Sequence, residues 1–379
     1  MHTAKLFLYV NSLFILLCLF EASVFLINQA TNGQGLTTRK ADFGDIKPMS
    51  AATTNPDIYL LIFDGYSGNH ALKKEWNYDN SAIYSFLRAR GFFVANHPKS
   101  NYNVTPYSIG SMLNMDYHPP FAFAKLETKD FMQGVATVSE NRLCNFLTAK
   151  NYEVRNFSFF NMSYDQTRIA PFYVVNIREL IVNQTLLARF TKDRGWKNGN
   201  GALKQSVIDD EIKKENRIHY NRIGQTMSGL LNISREKREK PVFIYAHFVL
   251  PHDPYFFDST GRAYAEKEWT VSRSDKSRYL SQLVYTNSLI KNLAESLLKD
   301  AKRERIIVIA SDHGYRSFEA TADPQMQFEN LMAVYYPTKR YPNFYDSISS
   351  VNTFRVILKD FFNMPLPLLK DSSVYIKVW

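Results

Sequence analysis

Asp57-Ile-Tyr-Leu-Leu-Ile-Phe-Asp64-Gly65 is a short continuous apolar run that ends at an acidic residue and a glycine. Such a run is typical of a parallel strand that is buried on both faces. Residues 241–250 and 305–314 have the same form, and both contain polar residues at or near their ends. Weaker strand candidates are residues 152–157 and 331–336. We therefore expect a sheet with at least three central strands.

Helical patterns separate these strands, and in them apolar residues recur every three or four positions. The predicted helices are residues 81–90, 140–150, 206–231 and 276–298. Strands that alternate with helices over this length predict an α/β fold, a three-layer sandwich around a central, mostly parallel (mixed) sheet. Functional sites in such sheets form at the carboxyl ends of the strands, so the residues that follow each strand are the first candidates.

Composition limits the partners of the chain. Its 379 residues include 46 Lys and Arg against 36 Asp and Glu, and the resulting charge of +10 favours anionic lipid or phosphorylated substrates. No phosphate-binding loop, zinc-finger spacing or basic-aromatic RNA motif is present, so we expect no nucleic-acid partner. The two cysteines, Cys18 and Cys144, do not require a disulfide framework.

The N-terminus carries an apolar segment at residues 6–27, which is long enough to cross roughly 30 Å of hydrocarbon. We interpret residues 1–28 as a transmembrane anchor, residues 29–56 as a linker and residues 57–379 as the catalytic domain. A cleaved signal peptide is the alternative, although no clear small-x-small cleavage site follows. The flanking charges Lys5, Arg39 and Lys40 leave the orientation of the anchor undecided.

Two predicted strands end in residues that bind metal ions. Ser311-Asp312-His313-Gly314 follows one strand, and Asp64-Gly65 follows another. Taken singly, each has an ordinary reading, since Asp312 could cap a helix and Asp-Gly often forms a turn. Together, two carboxylates and an imidazole at one sheet edge predict a site for one divalent cation, Zn, Mn or Mg, with Ca as a further option.

Thr105 is the candidate nucleophile. Pro106 suits the first position of a helix, which would make Thr105 the N-cap, with its hydroxyl near free backbone amides. In the structural reading, Thr105 only caps the helix. In the catalytic reading, a bound metal lowers the pKa of the hydroxyl, and the resulting alkoxide attacks phosphorus.

Two histidines lie near the end of the strand at 241–250, His247 within it and His252 just beyond it. His252 stands between Pro251 and Pro254, where it could donate to a phosphoryl oxygen or protonate a leaving alcohol. His247 could do the same, or it could be a hydrogen-bonded core residue.

The order of these motifs resembles the sulfatase-type branch of the alkaline-phosphatase superfamily. Asp64-Gly65, Thr105-Pro-Tyr-Ser108, Pro251-His252-Asp-Pro-Tyr255 and Ser311-Asp-His-Gly314 occur in the family's order. Sulfatases place Cys or Ser where this chain has Thr105, and Ile109 replaces the Arg of their motif. Threonine in this slot resembles lipoteichoic acid synthases and phosphoethanolamine transferases, although those enzymes generally carry several membrane spans and this chain offers one.

The resemblance implies roles for particular residues. Asp64, Thr105, Asp312 and His313 would bind one metal, Thr105 and His252 would be catalytic, and His252, His247 and Ser108 would contact substrate. The implied reaction transfers a phosphoethanolamine or phosphoglycerol group, through a phosphothreonine, to a glycan or lipid of the cell envelope. The alternatives are a hydrolase of phosphodiesters or sulfate esters and a catalytically inactive surface-binding domain.

The resemblance also implies where the enzyme works and what it meets. The substrate would be a phospholipid or a phosphorylated or sulfated glycan. A single-pass protein of the inner membrane, with its catalytic domain outside the cytoplasm, would fit that chemistry. Residues 128–240 contain no motif that identifies the donor or the acceptor.

Overall fold

The computed structural model describes Tyr9, residues 11–20, Ser23, and residues 54–119, 126, 128–169, 201–269, 272–299 and 301–377. Met1–Arg39 forms one compact unit and Lys40–Trp379 another. In the first unit, the described residues are helical. Much of the predicted anchor and nearly all of the predicted linker lie outside the described residues. Within the part that is described, no helix is both long enough and apolar enough to span a membrane.

The second unit is built on one six-stranded mixed sheet, with the strand order β2-β6-β5-β1-β4-β3. β3, β4, β1 and β5 are parallel to one another, whereas β6 runs antiparallel to β5 and β2 antiparallel to β6. The predicted α/β class and mixed sheet are therefore confirmed. The strands are β1 Asp57–Phe63, β2 Phe93–Val94, β3 Glu153–Phe157, β4 Val242–Phe248, β5 Arg305–Ala310 and β6 Met332–Tyr335.

Helices cover both faces of the sheet. Alternate residues of β1 enter different cores: Ile58, Leu60 and Ile62 pack on one side, and Tyr59, Leu61 and Phe63 on the other. This alternation produces the three layers, because successive strand side chains point to opposite faces. The helices are α1 Asn69–Trp76, α2 Ser81–Ala89, α3 Thr105–Asn114, α4 Thr128–Ser139, α5 Arg142–Ala149, α6 Gly201–Arg235, α7 Lys276–Leu298 and α8 Ser350–Phe362.

The strand register brings the predicted site residues to one edge. Ile62 of β1 pairs with His247 of β4 on one side and with Ala310 of β5 on the other. Asp64 follows β1 by one residue, and Asp312 follows β5 by two. Since these strands are parallel, the side chains emerge together at the carboxyl edge of the sheet.

Candidate metal and nucleophile site

Four side chains converge at this edge, and all are almost completely buried. His313 Nε2 lies 3.5 Å from Asp64 Oδ1 and 3.3 Å from Asp312 Oδ2. His247 Nε2 lies 3.7 Å from Asp64 Oδ2. Tetrahedral zinc with bonds of 2.0–2.2 Å separates its ligand atoms by roughly 3.3–3.6 Å. The spacing is close to that of metal ligands, and the possible ligands form two groups that share Asp64: Asp64 with His247 and Asp312, and Asp64 with His252 and His313.

Three buried atoms of this cluster also lack hydrogen bonds. Asp64 Oδ1, His247 Nε2 and His313 Nε2 have no hydrogen-bond partner among the described residues. Leaving such atoms unpaired costs roughly 1–3 kcal/mol each, and more for a charged group, so native proteins rarely do so without a reason. Divalent cations bound at this edge would satisfy these atoms. The residues present therefore fit a metal site.

The protonation states of the cluster suit metal binding. Burial alone would raise the pKa of Asp64, but the imidazoles of His252, His247 and His313 outweigh it and hold that pKa well below its ordinary value. Burial lowers the pKa of His313 to about 4. At neutral pH the site thus offers an ionised carboxylate and a neutral imidazole, the forms that coordinate metals.

Thr105 joins the cluster through its hydroxyl. Thr105 Oγ1 donates to Asp312 Oδ2 at 2.6 Å, and Gly65 N donates to Asp312 Oδ1 at 3.1 Å. The interpretation of Thr105 as a helix N-cap is wrong: Val104 is the N-cap, and no side chain caps the helix. The hydroxyl is available to the carboxylate cluster because it does not serve the amides of its own helix.

His247 does not lie where a substrate-contacting residue was expected. Its ring is buried between the strand and Phe159, whose ring centroid is 4.3 Å away, and its Nδ1 lies 2.8 Å from the Tyr245 hydroxyl. If Nδ1 carries the proton and donates to Tyr245, the Nε2 lone pair faces Asp64. His247 does not line the described part of the cavity. This placement favours a ligand to the cation over a contact to substrate.

A Tyr245→Phe variant is expected to bind a divalent cation at this candidate site about 10-fold more weakly. The hydroxyl orients His247, and the loss of such a supporting contact costs about 10–100-fold in metal affinity or activity. Metal titration with a competing chelator measures the change. Tyr335→Phe is the matched control, since Tyr335 ends β6 and does not line the described part of the cavity. Equal affinity for wild type and Tyr245→Phe would show that the hydroxyl does not orient the ring.

Ser108 contacts the backbone of the turn that carries Asp312. Its hydroxyl donates to the backbone oxygen of Asp312 at 2.5 Å, and its side chain is fully buried. Ser108 is not part of the described cavity lining, so the predicted substrate contact does not fit its position. The hydrogen bond instead ties α3, which carries Thr105, to the turn that carries Asp312 and His313.

A cavity of about 700 Å³ opens beside Thr105, and His252 lines it. His252 Nε2 lies 2.9 Å from Arg316 Nη2, and Nδ1 lies 2.6 Å from the Asp253 carbonyl oxygen. A guanidinium can only donate, so here Nε2 accepts and Nδ1 carries the proton. Burial lowers the pKa of His252, but the carboxylates of Asp253 and Asp64 outweigh burial and Arg316, so the pKa is raised.

Several cavity residues were not predicted from the sequence. Arg316 lies only three residues beyond His313, and an adjacent cation near a proposed phosphate site could have suggested it. Glu215, Asn216 and His219 reach the cavity from α6, inside the stretch for which no motif was recognised. Burial lowers the pKa of His219 to about 4, so its ring is neutral at pH 7.

A mixed α/β sandwich with a threonine beside a carboxylate and imidazole cluster defines an enzyme of the alkaline-phosphatase-like class. The sulfatase family profile matches residues 75–354, well over half of the chain. The chain therefore belongs to the sulfatase family, and it is an enzyme of the sulfatase-like class. No curated protein sequence matches it.

Three solved structures are similar to this chain. The C-terminal periplasmic domain of EcEptC from Escherichia coli, in complex with Zn, has 12% identity and a TM-score of 0.50, covering 86% of this chain and 90% of that one. The corresponding domain of phosphoethanolamine transferase EptC from Campylobacter jejuni has 14% identity, 85% and 94% coverage and a TM-score of 0.46. Phosphonate monoester hydrolase of Agrobacterium radiobacter has 10% identity, 82% and 74% coverage and a TM-score of 0.47. At these identities the likeness concerns the fold alone.

Proposed function

We propose that this enzyme transfers a phosphoryl-linked group, of the phosphoethanolamine or phosphoglycerol type, from a phospholipid to a glycan or lipid acceptor through phosphothreonine at Thr105. The observation that carries the proposal is the 2.6 Å contact of Thr105 Oγ1 with Asp312, within the cluster of unpaired ligand atoms and beside an open cavity. A helix-capping threonine would have no reason to lie there.

Asp64, Asp312, His313 and His247 would provide ligands for divalent metal, with the Thr105 oxygen beside them. When bound, such a cation lowers the pKa of a coordinated hydroxyl and neutralises charge on phosphoryl oxygens. The proton of the Thr105 hydroxyl is directed at Asp312 Oδ2. The start of α3 adds the positive end of the helix dipole, which favours the anionic group held on Thr105.

The proposed reaction has two steps. In the first, Thr105 Oγ gives its proton to Asp312 and forms a bond to phosphorus while the bond to the leaving alcohol breaks, and His252 protonates that alcohol. In the second, an acceptor hydroxyl attacks phosphorus and gives its proton to His252, the bond to Thr105 breaks, and the Thr105 oxygen takes its proton back from Asp312. The carboxylates of Asp253 and Asp64 raise the pKa of His252, which favours the protonated form that this exchange requires.

A threonine nucleophile supports transfer over sulfate hydrolysis, because it cannot give the aldehyde that ordinary sulfatases use. The zinc in the EcEptC structure supports a metal-dependent reaction, and the periplasmic origin of that domain supports a catalytic domain outside the cytoplasm. We place the enzyme at the inner membrane, with its N-terminal segment as a single anchor and a lipid or glycan as its substrate.

The test uses the full chain in detergent, loaded with metal and incubated with headgroup-labelled phospholipid. We expect label on the peptide that contains Thr105, seen by mass spectrometry, and its transfer to an added glycan or polyol acceptor. Release of label at the same rate with and without acceptor would identify a hydrolase. Absence of label from Thr105 during turnover would contradict the proposed intermediate.

An Arg316→Gln variant is expected to lose about 10–100-fold in kcat/KM for headgroup transfer. Arg316 lines the cavity beside His252, where its guanidinium can meet phosphoryl oxygens, and charge-assisted contacts of this kind strengthen in the transition state. Steady-state kinetics with a lipid donor measures the loss. Arg340→Gln, an exposed substitution away from the cavity, should leave kcat/KM unchanged. Equal kinetics for Arg316→Gln and wild type would remove Arg316 from the substrate site.

A further inference from the structure

A second group of metal-binding side chains lies outside the cavity. One ligand atom from each of His70, His97 and Glu329 lies within 4.8 Å of the other two. His70 Nδ1 is 2.7 Å from Glu329 Oε2, and the rings of His70 and His97 meet edge to face with centroids 5.1 Å apart. The two imidazoles are exposed, whereas Glu329 is only 5% exposed. The group thus has a fixed carboxylate and two rings that can rotate.

Backbone hydrogen bonds hold the three segments together. Gly68 N, just before α1, donates to the Glu329 carbonyl at 2.9 Å, and Asn330 N donates to Pro98 O at 3.3 Å. Lys99 forms a further bridge with Glu329. The positions of all three ligand residues are therefore set by the fold before any cation binds, which reduces the ordering that binding requires.

We propose that His70, His97 and Glu329 form a second site for a divalent cation of the zinc type. Two imidazoles and one carboxylate are a known zinc ligand set, which leaves a fourth position for water. Imidazole favours zinc, copper and nickel over magnesium or calcium. Lys74 is a nearby cationic side chain, but its ammonium group pairs with Asp323 at 3.0 Å and not with Glu329. Zinc would replace the present hydrogen bond between His70 and Glu329.

The site is connected to the catalytic cluster through one loop. Gly314 N donates to Gln327 O at 2.7 Å, and the Asn330 side chain donates to Ser311 O at 2.8 Å. Glu329 lies between these two contacts along the chain. A cation on Glu329 would hold this loop to α1 and to the segment after β2, and the loop supports the turn that carries Asp312 and His313. The role of this cation is therefore structural: it stabilises the turn that carries Asp312 and His313.

The experiment counts zinc in the purified full chain after removal of metal with a chelator and dialysis against zinc. We expect two equivalents in wild type, one in His97→Gln, one in Asp312→Asn and none in the double variant. Lys73→Gln, on α1 but outside the group, should keep two. His97 is exposed, so its replacement leaves the core intact, and circular dichroism checks this. Glu329→Gln, which keeps the shape but removes the charge, should bind the second zinc at least 10-fold more weakly.

The Asp312→Asn background separates this site from the catalytic one. If the Asp312→Asn variant binds one zinc, and adding His97→Gln to that variant removes it, the second site exists whether or not the proposed reaction is correct. The proposal is overturned if Asp312→Asn holds no zinc, or if His97→Gln holds as many equivalents as wild type. It is also overturned if the zinc bound by the Asp312→Asn variant remains bound when His97→Gln is added and when Glu329→Gln is added.

Discussion

A Thr105→Ala variant is expected to lose activity by a factor on the order of 10⁴ or more and to form no phosphoenzyme. The reason is that the substitution removes the oxygen that bonds to phosphorus, and nucleophile deletions have effects of this size or larger. Thr105 is 6% exposed and faces the cavity, so water would have to enter and be oriented to replace it. The measurement is single-turnover headgroup release, followed together with mass spectrometry of the peptide that contains Thr105.

Thr105→Ser is the matched variant, because it keeps the hydroxyl that contacts Asp312 and removes only a methyl group. We expect it to retain phosphoenzyme formation at a reduced rate. Metal content must be measured for both variants, since the loss of the hydroxyl also leaves Asp312 Oδ2 without this donor. A Thr105→Ala enzyme that binds metal normally and turns over at the wild-type rate would rule out the threonine mechanism.

The central strands could be predicted from sequence because their signal is local. β1, β4 and β5 lie within the continuous apolar runs, since strands with two covered faces need apolar side chains throughout. The weaker candidates became β3 and β6, both shorter than the runs that predicted them. β2, with only Phe93 and Val94, has too few residues to show any period and was not predicted.

The environment of Thr105 could not be predicted in the same way. Thr105 before Pro106 satisfies the local rule for a helix cap, but the helix begins at Thr105 itself. The hydroxyl finds its partner in Asp312, which is 207 positions away in sequence. A local propensity rule contains no information about such a partner. The convergence was predictable only from the expectation that parallel strands end at one edge.

The two histidines near the end of β4 show the same limit. The sequence placed both near the site, but it could not tell which face each ring would occupy. Register alone puts His247 beside Ile62, inside the sheet, and the Tyr245 hydroxyl then fixes its ring. His252 lies beyond the strand and reaches the cavity, where it meets Arg316. His247 faces Asp64 because it lies within β4, whereas His252 reaches the cavity because it lies beyond the end of β4.

An Asp57→Ala variant is expected to destabilise the domain by about 3–5 kcal/mol, the cost of removing one partner from a buried ion pair. Asp57 begins β1 and is 1% exposed. Its Oδ2 accepts from Arg238 Nη2 at 2.8 Å, and its Oδ1 accepts from Val242 N at 3.0 Å. Removal of the carboxylate leaves a buried guanidinium without its counter-charge and the first amide of β4 without its acceptor.

Two further variants distinguish the loss of this buried ion pair from the loss of an exposed one. Asp57→Asn keeps an oxygen for Val242 N but removes the charge, so its destabilisation should fall between those of wild type and Asp57→Ala. Glu295→Ala breaks the exposed contact of Glu295 with Arg90, where solvent screening limits the cost to about 0–1 kcal/mol. Denaturant unfolding followed by tryptophan fluorescence compares all three. A midpoint for Asp57→Ala as close to wild type as that of Glu295→Ala would mean that Arg238 reaches water once its partner is gone. The start of β1 would then depend on apolar packing alone.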